Sequence, residues 1–286
     1  MRRRNFWTVG AAALAAACTP TLAQFNAFTP KDTGGRRVRR DLAYGENPRQ
    51  KLDLYAPQNL PIGVPVVVFI YGGSWNSGAK ADYEFVGDAV ASRGFLTAIP
   101  DYRLVPDVRF PTFVEDCAAA VRTVIDHAAD LGADPSKVVL MGHSAGAYNA
   151  IMLGLNSHYL RTAGVNPGLV RGVVGLAGPY DFLPLDVPST QDAFGQTSDL
   201  QRTQPTQFAR RDGPPLLLLW GEKDSTVHRR SIDAMQHAAQ TVGESVEAKI
   251  YPGVDHVGIM LALSRLFRGN APVLDDSAAF IRRVTT

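Results

Sequence analysis

The sequence predicts an α/β protein: a mostly parallel, eight-stranded sheet with helices on both faces and a small cap-like insertion. Three observations carry this. From about Arg37 to the end, short β-branched runs alternate with longer amphipathic stretches, the pattern of a parallel sheet covered on both sides. The first two strands have no helix between them, which predicts an antiparallel start. Nearly forty residues separate the strand ending near Leu176 from the one starting at Pro215, and a loop of that length inside a compact domain is usually functional or mobile.

The elements follow in order. Arg37–Leu42 and Gln50–Tyr55 alternate with period two and are joined by a turn at Gly45-Glu46-Asn47-Pro48. Val64–Tyr71 is almost continuously apolar, as a strand buried on both faces must be. A helix over Ala79–Ser92 precedes a second buried strand, Phe95–Ile99. Pro111 opens a helix over Thr112–Ala128, whose apolar face includes Cys117; strand Lys137–Met141 and helix Ala145–Leu155 follow. Strand Val170–Leu176 leads into the insertion, placed at about 183–213, where Gln, Thr, Asp and Pro dominate. Strand Pro215–Trp220, helix His228–Thr241 and strand Ser245–Tyr251 come next, and helices over Val257–Phe267 and Asp275–Val284 end the chain.

Composition narrows the function. Of 286 residues 45% are hydrophobic and 20% charged, which suits a packed domain and not a disordered one. The net charge of +2 argues against a nucleic-acid coat; the run Arg36-Arg37-Val38-Arg39-Arg40 reads as a solvated edge. Two cysteines, Cys18 and Cys117, exclude a disulfide framework, a zinc ribbon and an iron–sulfur site, and Cys117 reads as a small buried hydrophobe. No apolar stretch downstream is long enough to span a membrane. The amino terminus reads as an export signal over residues 1–23, with the folded domain taken as 24–286. Arg2-Arg3-Arg4 precedes an alanine-rich apolar run, and Arg3-Arg4-Asn5-Phe6 resembles a twin-arginine motif. Cleavage after Ala23 is the favoured exit; Leu14-Ala15-Ala16-Ala17-Cys18 is the alternative, a lipoprotein box that would anchor the protein through Cys18. Either exit predicts a periplasmic, secreted or membrane-anchored protein.

One constellation carries chemistry. Gly142-His143-Ser144-Ala145-Gly146 lies between a buried strand and a helix of small residues, where a sharp turn would stand Ser144 clear of the sheet. A serine hydroxyl needs a base, and the base needs an orienting acid. Among the downstream histidines, His237 lies mid-helix and His228 too close to the best acid. His256 follows a strand and a turn and is the expected base. Asp224 turns out of the carboxyl end of a strand and is the expected acid, ahead of Glu222 and Asp255; His143 reads as a packed neighbour. Gly72 and Gly73, after the central strand, together with the N–H of Ala145, are expected to form an oxyanion hole.

Ser144, Asp224, His256 and Gly72-Gly73 together resemble the α/β-hydrolase superfamily. The resemblance is closest to carboxylesterases of the hormone-sensitive-lipase and bacterial feruloyl-esterase-like type, which includes kynurenine formamidases and prenylcysteine methylesterases. Asp101-Tyr102-Arg103-Leu104, Phe110-Pro111 and Glu115-Asp116 extend the likeness, while Tyr71 stands where the family usually has histidine and Ser74 where many members have a third glycine. The resemblance implies an α/β-hydrolase fold and a serine esterase acting on small-molecule esters through an acyl-enzyme, with no metal or cofactor. Trp75 and Tyr102 are expected to line the substrate pocket. Two other readings stand beside it: an arylformamidase or other amide hydrolase, and a non-catalytic binding module on the same fold. Substrate identity and oligomeric state are not encoded in these motifs.

Overall fold

The structure, a computed structural model, describes residues 21–59 and 61–286; the proposed leader and Cys18 lie outside the described residues, apart from the segment from Thr21 to Ala23. Among the described residues eight strands form one sheet: β1 (Gly35–Ala43), β2 (Lys51–Pro57), β3 (Val64–Ile70), β4 (Leu96–Pro100), β5 (Ala133–His143), β6 (Val170–Leu176), β7 (Leu216–Gly221) and β8 (Val246–Tyr251). Their order is β1-β2-β4-β3-β5-β6-β7-β8. β1, β2 and β4 pair antiparallel and all later neighbours pair parallel, as the missing helix between the first two strands predicted.

Consecutive strand residues point to opposite faces, and β6 shows what covers each. Gly172 lies under Phe280 and Val284 of the final helix, Val273–Val284, while Val173 meets Gly154 of the helix Ala145–Leu155. Both faces are therefore dry. This explains why β3 reads Val-Pro-Val-Val-Val-Phe-Ile, with Val66 to Ile70 fully buried, instead of alternating.

The helices Thr112–Ala128 and Ala145–Leu155 have the bounds the periodicity predicts. Two others differ. Ala79–Ser92 begins as a tight 3-10 turn, Lys80–Tyr83, and becomes α-helical only over Glu84–Ala91. The turn is held by Lys80, whose buried ammonium sits 2.6 Å from Asp41 and 2.7 Å from Asp53, pinning it to β1 and β2. The helix expected over Val257–Phe267 is a single turn, Gly258–Leu261. Ser264 donates to the Leu261 carbonyl (2.6 Å), and Arg268 donates to the Leu263 and Ser264 carbonyls (3.1 and 3.3 Å). These local bonds take acceptors that a continuing helix needs. The long interruption before β7 contains a helix of its own, Pro188–Phe194, and two 3-10 turns, Leu200–Thr203 and Pro205–Phe208.

The register aligns the carboxyl ends of the central strands. Ile70 pairs with Gly142, His143 with Leu176 and Gly221 with Tyr251. The chain leaves the sheet at that edge after β3, β5, β6, β7 and β8, so the loops that follow these strands converge on one crevice.

Candidate active site

Ser144 stands between β5 and its helix at φ 55°, ψ −125°, a left-handed conformation that an L-residue adopts only under strain. Close packing imposes it. A Cβ on Gly142 would lie 2.3 Å from the Gly146 carbonyl oxygen, and one on Gly146 would lie 2.0 Å from the Ile70 carbonyl oxygen. The two glycines of the motif are thus where the turn folds against itself and against β3. Gly146→Ala is expected to cost about 3 kcal/mol by overpacking this backbone contact, measured as a drop in the urea midpoint.

The sequence-predicted residues from three other loops meet here. His256 Nε2 lies 2.9 Å from Ser144 Oγ, and His256 Nδ1 lies 2.7 Å from Asp224 Oδ2. The other carboxylate oxygen, Oδ1, accepts from the backbone N–H of Thr226 (2.8 Å) and Val227 (2.9 Å). Burial by itself would raise the Asp224 pKa. The bond from His256 and those two N–H groups outweigh it, and the net displacement is downward. Glu222 and Asp255 are occupied elsewhere: Glu222 accepts from Gly253 N–H (3.0 Å) and Asp255 from Gly258 N–H (2.7 Å). His237 is exposed on its helix, while His228, also exposed, lies on the rim of the cleft.

Gly72 lies against the same turn; a Cβ there would come within 2.9 Å of Ser144 Cβ and 2.8 Å of the His143 carbonyl oxygen. Gly73 follows at φ 123°. Its N–H, like that of Ala145 at the first position of a helix, has no acceptor among the described residues.

Trp75 and Tyr102, the two expected pocket residues, separate. Trp75 borders a cavity of about 200 Å³ that also touches Ser144, Ala145, Phe182 and Thr190. Its indole N–H donates to Asn149 Oδ1 (3.2 Å), and its ring sits edge-on to Tyr148 and Phe194. Tyr102 is corrected: it is fully buried behind the glycine turn, stacked on Tyr71 at 5.0 Å, and donates to the Tyr71 carbonyl at 3.0 Å. The motif around it is scaffold. Asp101 accepts from Tyr71 Oη and Lys80 N–H (2.7 Å each), and Arg103 is bonded to Asp116 through two nitrogens. Sequence reasoning missed Arg49, which donates to the carbonyls of Tyr102 and Gly78 and to Tyr71 Oη within 2.9 Å and so braces the glycine turn. An arginine in a hairpin turn gives no signal of this in the sequence. A larger cleft of about 800 Å³ lies at the opposite, amino-terminal edge of the sheet beside Val170, Pro215 and Ser245, far from these groups in the fold.

The strand order, with a serine at a strained turn after β5, an acid after β7 and a histidine after β8, defines an α/β-hydrolase fold. Within that class the chain belongs to the BD-FAE family, whose model matches residues 52–238. It is 28% identical to isoprenylcysteine alpha-carbonyl methylesterase of Arabidopsis thaliana over 86% of this chain and 62% of that protein, so it spans about three-fifths of that relative. It is 25% identical to kynurenine formamidase of Salmo salar over 81% of this chain and 79% of that one. A truncated carbohydrate esterase from gut microbiota superposes with a TM-score of 0.79 at 19% identity, covering 90% of this chain and 99% of its own; that likeness concerns the fold.

Proposed function

We propose that the protein is an exported serine esterase that hydrolyses carboxylic esters with short acyl or aryl groups. The single observation that carries the serine-esterase reading is the unbroken line of hydrogen bonds from Asp224 through His256 to Ser144. In this reading Ser144 Oγ attacks the acyl carbon as His256 Nε2 takes its proton. The tetrahedral oxyanion is held by the N–H groups of Gly73 and Ala145, each worth about 3 kcal/mol of barrier, with Gly72 providing the clearance. His256 then hands its proton to the leaving alcohol. Water, deprotonated by the same imidazole, resolves the acyl-enzyme. Asp224 stays ionised throughout, fixing the tautomer and balancing the imidazolium. Names of relatives support the esterase class: a methylesterase, and an esterase of Mycobacterium tuberculosis 26% identical over 76% of this chain.

The test is a panel of p-nitrophenyl acetate, butyrate and octanoate with methyl ferulate and N-formylkynurenine, plus fluorophosphonate labelling. Ester turnover together with label on Ser144 is the expected result; failure of folded protein to label would return it to a binding module. The formamidase relative, matched over most of its own length, favours amide hydrolysis as the second reading. Turnover of the formamide alone would establish it. The cavity beside Ser144, about 200 Å³ with Trp75 and Phe182 in its lining, favours acetate and butyrate over octanoate. Phe182→Ala should raise the octanoate-to-acetate ratio of kcat/KM about tenfold, measured on the same panel. For export, the mass of the protein recovered from the periplasm should begin at Gln24; a lipid-modified Cys18 would instead establish the anchored form.

A further inference from the structure

The imidazole beside Ser144 takes no part in the steps above, yet its contacts are specific. His143 ends β5 with its ring buried, 5% exposed, and its Nε2 lies 2.8 Å from the carbonyl oxygen of His256. A carbonyl only accepts, so Nε2 carries the hydrogen and donates it, leaving Nδ1 as the bare nitrogen of a neutral ring. The ring does not charge near neutrality. Burial first, and the neighbouring His256 second, bring its pKa down to about 3. It therefore does not compete with His256 for the serine proton, nor does it add a second positive charge 4.9 Å from the imidazolium.

His143 also touches the third loop of the site. A Cβ on Gly72 would lie 3.3 Å from His143 Nδ1. One ring thus fills the space between the oxyanion turn and the base, while its own backbone leads directly into the nucleophile. The ring of His256 is bonded to Asp224 and Ser144, and its backbone, among the described residues, makes no hydrogen bond other than the one from His143. Without that bond no hydrogen bond fixes the His256 backbone behind its ring.

We propose that His143 is a positioning residue for the base: its Nε2–H grips the His256 carbonyl and sets the reach of His256 Nε2 to Ser144 Oγ. This rests on the serine-hydrolase reading. It adds a requirement the nucleophile, base and acid do not contain, namely a donor of defined length at the residue before the serine. Two substitutions separate the donor from simple filling of space. His143→Leu has about the same volume and no donor. His143→Gln can place an amide N–H near the position of Nε2.

With purified full-length protein and p-nitrophenyl acetate, His143→Leu should lower kcat about 10- to 100-fold, the loss expected for a displacement near 1 Å, with KM within about twofold. The rate of fluorophosphonate labelling should fall by the same factor while labelling still runs to completion, which counts folded sites. His143→Gln should recover kcat to within about fivefold of wild type. Wild-type kcat per labelled site in His143→Leu would overturn the proposal, and so would a glutamine variant as slow as the leucine one. A wild-type protein that neither turns over esters nor labels would instead overturn the esterase reading, which keeps the two failures distinct.

Discussion

Ser144→Ala should abolish ester hydrolysis, with kcat falling by about 10⁶-fold, the loss measured when a serine hydrolase is deprived of its nucleophile. The substitution removes one atom. Ser144 Oγ bonds His256 Nε2 and no other group among the described residues, while the backbone of the turn is held independently, by Ser144 N–H to the Leu176 carbonyl and Tyr148 N–H to the Ser144 carbonyl. The fold should therefore survive and the unfolding midpoint stay close to wild type. The check is kcat on p-nitrophenyl acetate together with intact mass after fluorophosphonate treatment. A variant that keeps activity within a hundredfold of wild type, or still takes up the fluorophosphonate, would show that another residue performs the attack.

Asp224→Asn should lower kcat by about 10⁴-fold with little change in KM. Asparagine can still accept from Thr226 and Val227 through its oxygen, so the loop keeps its shape. It would then turn an NH₂ group toward His256 Nδ1, which favours the tautomer with the proton on Nε2, and that tautomer cannot take a proton from the serine. The same carboxylate carries a pH signature. Its folded-state pKa is depressed, so its contribution to stability is present above the unfolded value of about 3.9 and is lost as pH falls below that through the folded pKa. Urea midpoints measured at pH 6 and pH 3 should show this loss in wild type, and a smaller one in Asp224→Asn. Equal losses would mean that the carboxylate is not held ionised by its bonds.

Much of the architecture was legible along the chain because the relevant signals are local. An apolar run such as Val64–Ile70 can be satisfied only by burial on both faces, and Pro111 marks the start of a helix that runs to Ala128. Where local hydrogen bonds compete, periodicity misled: Ser264 and Arg268 break up a stretch whose apolar spacing reads as helix. Tyr102 misled for a related reason. An aromatic residue beside a glycine turn is equally suited to a pocket wall and to the packing behind it, and only the ring of Tyr71 decides which.

Local signals along the chain marked the candidate groups: a serine at a turn requiring glycine on either side, and an acid and a histidine each following a strand in the order this fold uses. Their convergence came from the folded arrangement. The parallel register brings loops more than a hundred residues apart to one edge, and places His143 against the carbonyl of His256 and Arg49 under the glycine turn. Those contacts leave no local trace, because each depends on the position of a partner that the neighbouring residues do not specify.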